Sequence, residues 1–84
     1  MAVIVCFHIA RENAPVRHAI RTQPLQDADS GWQFLCKAMH GNIENAQVWA
    51  VKEMLDYDSD VRNIIDQPVG SSFVKNQHNI FEKV

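Results

Sequence analysis

The sequence predicts an α+β fold: a mainly antiparallel sheet of about four or five strands with one or two short helices on one face. Three observations predict it. The chain has 84 residues, the length of one domain. Its apolar residues alternate with polar ones in separate stretches, as along strands. Near residue 60 the spacing changes to the i, i+3, i+4 pattern of a helix.

Ala2 to Ile9 is a short apolar run rich in β-branched residues, bounded by the polar Arg11-Glu12-Asn13, and reads as a first strand. After Pro15, the side chains of Val16, His18 and Ile20 alternate with Arg17, Ala19 and Arg21. That period predicts a strand with one solvated face, ended by Pro24. Residues 26–30 form a polar loop, and Gly31 permits a sharp entry into a third strand. There Trp32, Phe34 and Cys36 alternate with Gln33, Leu35 and Lys37. Residues 39–45 read as a loop marked by Gly41-Asn42. Residues 46–57 fit either a helical face or a short buried strand; a strand across Val48 to Val51, running into a helical turn near Met54, is favoured. Asp58 and Ser59 suit helix N-caps, and Val61, Ile64 and Ile65 follow with helical spacing up to Pro68 and Gly70. Ser71 to Lys75 can supply a last strand. The chain is read as a single domain, 1–84, whose polar tail 76–84 docks loosely.

Composition narrows the function. With 46% hydrophobic and 21% charged residues the chain can offset its conformational entropy, so disorder is not expected. A net charge of −2 gives no basic footprint for nucleic acid. No apolar run approaches the ~20 residues of a membrane span. The apolar opening lacks a basic lead and a cleavage site, so the expected location is the cytoplasm. Charge is uneven: segment 44–66 carries six acidic and two basic side chains, against a net +1 on each flank. Cys6 and Cys36 are too few for a disulfide framework and read as buried thiols.

The stretch Asp29-Ser30-Gly31-Trp32-Gln33-Phe34, then Leu55-Asp56-Tyr57-Asp58, then Gln67-Pro68-Val69-Gly70-Ser71-Ser72-Phe73 carries a resemblance. It resembles a bacterial family long catalogued as a domain of unknown function and grouped, by gene neighbourhood, among the immunity proteins of polymorphic toxin systems. In that pattern an extended segment ends in an arginine, here Arg21. D-S-G-W-x-F, a D-Y-x-x-x-(I/V) helix with Val61 at its last position, and P-(I/V)-G-S-x-F follow. The match runs from about Arg21 to Phe73. Where the family shows an acidic G-D-E-type turn, this chain has Lys37-Ala38-Met39-His40-Gly41. The resemblance implies a toxin-neutralising protein without catalysis.

Several side chains have two readings. Trp32 is either a core residue behind an Asx turn from Asp29 or a partner anchor, since Trp and Arg are over-represented at binding hot spots. Asp56, Asp58 and Asp60 are either helix-capping acids or an acidic face for a basic partner. A calcium loop is excluded because its sixth and twelfth positions hold Val61 and Gln67. The expected partner contacts are Trp32, Arg21, Asp56, Asp58 and Asp60. Asp29, Ser30, Gly31, Phe34, Pro68, Gly70, Ser71 and Phe73 are expected to be structural. Cys6, His8, His18 and Cys36 could converge, but no close chelating pair nucleates a zinc site, so neither metal nor cofactor is expected. Nothing in the sequence orients a base against either thiol, and G-x-S-x-G is absent around Ser71, which leaves a cysteine-dependent enzyme the weakest alternative. A domain that self-associates through a sheet edge, as a homodimer, is the other.

Overall fold

Val3, Val5, Trp32, Phe34 and Ala19 share one face of a sheet, each no more than 1% exposed, and Phe73 joins them at 6%. The computed structural model describes residues 1–24, 26–36 and 46–84. The expected loop 39–45, Lys37, the Lys37–Gly41 stretch and Glu44 lie outside the described residues. The strands are β1 (Ala2–Val5), β2 (His18–Arg21), β3 (Asp29–Leu35), β4 (Gln47–Ala50), β5 (Ser72–Lys75) and β6 (Phe81–Lys83). The helices are α1 (Phe7–Glu12) and α2 (Val51–Tyr57), with a 3-10 helix at Ser59–Asn63. The sheet order is β4-β1-β3-β2-β5-β6. Among the described residues only β1 and β3 run parallel; every other pairing is antiparallel, in keeping with the α+β reading. Met54 of α2, then Val61 and Ile64, complete the core.

The apolar run 2–9 is not one strand. Pairing stops at Val5, opposite Phe34 on one side and Gln47 on the other. Cys6 stays extended, and the chain turns into α1, whose Ile9 is fully buried while Arg11 and Glu12 reach solvent. Asn13 closes the helix in the left-handed conformation at φ 56°. An apolar run of this length satisfies a strand and a buried helical turn equally, and only the ends of the neighbouring strands separate them.

β2 also departs from the simple alternation. Ala19 pairs with Phe34 and Phe73, so the face that carries Ala19 and Arg21 looks into the core, while Ile20 lies half-buried on the other face. β3 starts earlier than expected, at Asp29, and between Ala2↔Asp29 and Ile4↔Gln33 the single Val3 of β1 faces Ser30, Gly31 and Trp32 of β3. The irregularity centres on Gly31, at φ +86°. At 46–57 the strand-then-helix alternative is the one realised. The Glu53 carboxylate accepts the Ala50 N–H at 3.1 Å, marking the switch. Within 76–84, Phe81–Lys83 pairs with β5 and forms one edge of the sheet.

Candidate functional site

Three sequence-distant motifs meet around Arg21. At the end of β2 its Nε donates to the Ser30 carbonyl at 2.9 Å and its Nη1 to the Gln67 carbonyl at 2.7 Å. Its backbone N–H and C=O bond Ser71 and Gly70, at 2.9 and 2.7 Å. The guanidinium lies 5.8 Å from the Trp32 ring centroid. Asp29 makes the Asx bond expected of it, accepting the Gly31 N–H at 2.8 Å. Ser30 Oγ donates to the Ala2 carbonyl at 2.6 Å and accepts from Trp32 N–H at 3.2 Å, tying β3 to β1. Trp32 Nε1 donates to the Ile65 carbonyl at 3.1 Å, and its ring stacks on Phe34. D-S-G-W-x-F, the arginine and P-V-G-S-S-F thus form one hydrogen-bonded knot. Trp32 is 1% exposed, which puts it in the core. Beside the knot lies a shallow hollow of about 320 Å³, rimmed by Met1, Val51, Ile65 and Asp66.

The three aspartates divide. Asp58 caps the 3-10 helix, its Oδ1 accepting the Asp60 N–H at 3.0 Å. Its Oδ2 receives Lys75 Nζ at 2.6 Å, with side chains only 13% and 4% exposed. Lys75 also lies 3.5 Å from Asp60, whose side chain is 45% exposed, and 5.0 Å from the Phe81 ring centroid. Asp56 is exposed on α2. Asp58 is therefore a structural ion partner as well as a cap. Lys75 was legible in principle: in β5 it shares the parity of core-facing Phe73, a position that a cation holds only with a counter-charge.

This sharing has a measurable consequence. Removing Asp58 strands a buried ammonium with only the more distant Asp60, so Asp58→Ala is expected to cost about 3 kcal/mol. Asp60→Ala should stay within ~0.5 kcal/mol. The Asp58→Ala/Lys75→Met pair should recover most of the loss, because the orphaned charge is gone. Chemical denaturation of the four proteins checks this; an Asp58→Ala protein as stable as the parent would show that the pair is solvated.

At the carboxyl ends of β1 and β3 the fold assembles what spacing alone did not. The ligand-type atoms of Cys6, His8 and Cys36 all lie within 4.8 Å of one another. Cys36 Sγ is 3.5 Å from His8 Nδ1, so an imidazole does face a thiol. Cys6 is buried and Cys36 half-buried, and neither is in a disulfide. His18 does not join them; its Nε2 is 3.1 Å from Ser72 Oγ. Nearby, Tyr57 donates to the Ala14 carbonyl at 2.6 Å. Burial, then the Asp58 charge, then Cys6 raise the Tyr57 phenol above its ordinary value of 10.0.

Set against known proteins, the chain falls in the class of immunity proteins. It belongs to the Imm33 family: the family model described as the immunity protein Imm33 domain matches residues 3–84. No curated protein matches the chain, and no solved structure matches it. Membership supports an immunity-type role in general and implies a protein partner such as a toxin. Among the described residues, no helix is long and apolar enough to cross a membrane.

Proposed function

We propose that this protein neutralises a bacterial toxin domain without catalysis, docking the layer formed by α2 and the 3-10 helix over a basic active site. Family membership supplies the general role. The observation that carries the finer reading is the charge of that layer. With Lys75 engaged chiefly by Asp58, the other side-chain charges of the layer and of the turn that follows it are Glu53, Asp56, Asp60 and Asp66 against Lys52 and Arg62. A cleft that binds a polyanionic substrate is basic, and an acidic face both steers toward it and covers it. Trp32 and Arg21 contribute by fixing the knot behind this layer, since Arg21 holds Gln67 and Trp32 holds Ile65, on either side of Asp66.

The test is association kinetics with the toxin domain that this protein binds, sought among the genes adjacent to its own. The double variant Asp56→Asn/Asp60→Asn is expected to associate about 3–10-fold more slowly at low salt, with a flatter salt dependence and an unchanged melting temperature. Parent-like kinetics at low salt would mean that these acids only solvate the surface.

A further inference from the structure

We propose that Cys6, His8 and Cys36 form a binding site for a thiophilic closed-shell cation, Zn²⁺ or Cu⁺. The inference runs against the expectation from ligand spacing, and the fold explains why. β1 and β3 are adjacent parallel strands, so their carboxyl ends stop at the same edge of the sheet. Cys6 directly follows β1 and Cys36 directly follows β3. The Cys6 N–H bonds the Phe34 carbonyl at 3.0 Å, which fixes the two strand ends against each other. His8 stands two residues beyond Cys6, in the first turn of α1. Residues thirty positions apart in sequence therefore supply a pair that no local chelating motif could.

The dimensions suit a metal. With Zn–S near 2.3 Å and Zn–N near 2.0–2.1 Å, tetrahedral ligands place sulfur and nitrogen roughly 3.5 Å apart. Cys36 Sγ and His8 Nδ1 already have this spacing at 3.5 Å, and the third ligand atom, within 4.8 Å of both, reaches it by a side-chain shift of at most about 1 Å. Two sulfurs and one imidazole nitrogen form the soft donor set that selects Zn²⁺ or Cu⁺ over hard cations. Three protein ligands satisfy a trigonal Cu⁺; for Zn²⁺ a water takes the fourth position. The half-buried His8 and Cys36 give entry, while buried Cys6 gives the site a dry side. Coordination converts both thiols to thiolates and releases their protons to solvent, about two per cation at neutral pH. The bound cation would clamp β1, α1 and β3 together.

Reduced, chelator-stripped protein titrated anaerobically with Zn²⁺, and separately with Cu⁺, against a chromophoric competitor tests this. One equivalent of at least one cation should bind, with proton release and a higher melting temperature. Co²⁺ loading should give a thiolate-to-metal charge-transfer band. Cys36→Ser and His8→Gln alter half-buried side chains and should fold, as circular dichroism can verify. Each should weaken binding by at least about a hundredfold, more than loss of an outer-shell partner costs. Failure of both cations to bind would overturn the proposal. So would binding that persists undiminished in both variants, which would place the cation on imidazoles elsewhere. Should Cys36→Ser or His8→Gln fail to fold, the thiolate-to-metal absorption of the parent decides: no thiolate band with either Co²⁺ or Cu⁺ overturns the site.

Discussion

Replacing Gly31 with alanine is expected to abolish the cooperative unfolding transition. Two independent terms act at this position. Its φ of +86° lies where an L side chain is disfavoured, at about 1–2 kcal/mol. The added Cβ would also fall inside the van der Waals envelope of the Thr22 carbonyl oxygen, a backbone atom that cannot rotate away. Thr22 is held there because its N–H bonds the Gly31 carbonyl at 2.8 Å. Relief therefore requires β2 and β3 to separate at the point where Arg21, Ser30 and Trp32 are tied together. A domain of this size has roughly 4–12 kcal/mol in total, and the combined penalty consumes most of it. Gly70 provides the internal control: its φ is +96°, but nothing lies within 4 Å of where a Cβ would stand. Gly70→Ala should then lose only about 1 kcal/mol, or some 4–8 °C. The comparison is read by thermal melts followed by circular dichroism. A Gly31→Ala protein that melts cooperatively, and no lower than Gly70→Ala, would show that the backbone at Thr22 yields cheaply.

Truncating Trp32 to alanine is expected to cost about 3–5 kcal/mol. The ring is 1% exposed, lies 5.7 Å from Phe34 and 6.4 Å from Phe73 between centroids, and carries the Arg21 guanidinium near its face. Removing it leaves a large cavity and deprives the Ile65 carbonyl of its donor. Trp32→Phe separates the two losses, retaining much of the volume while giving up the hydrogen bond, and should fall between parent and alanine variant. Denaturant unfolding of the three proteins gives the ordering. Trp32→Ala melting within a few degrees of the parent would move the indole from the core to the surface and return it to the candidate partner contacts.

Both effects originate in motif residues, and this bears on where a partner docks. The residues that make the resemblance visible in the sequence put their hydrogen bonds into holding the fold: Asp29 to Gly31, Arg21 to Ser30, Gln67 and, through its backbone, Ser71, Ser30 to Ala2, and Trp32 to Ile65. Their pattern reports the fold. The acids proposed to meet a partner, Asp56 and Asp60, belong to a layer laid over that knot.

Legible along the chain were the α+β class, the alternation that buries Trp32 and Phe34, the turn chemistry of Asp29-Ser30-Gly31 and the cap at Asp58. Each of these is set within a few residues by side-chain period or by a local hydrogen bond, which is why it can be read along the chain. Tertiary structure alone decided the rest. It cut the apolar run 2–9 after Val5, because only the ends of β3 and β4 tell a strand from a helical turn there. It turned Ala19 and Arg21 inward, because a strand flanked by β3 and β5 takes its core face from its neighbours. It made Asp58 a counter-ion, because Lys75 arrives from a strand seventeen positions on. It brought Cys36 to Cys6 and His8, because parallel pairing aligns strand ends whose separation along the chain carries no period. In each case the deciding partner is remote in sequence, and its position is fixed by backbone pairing that no single segment encodes.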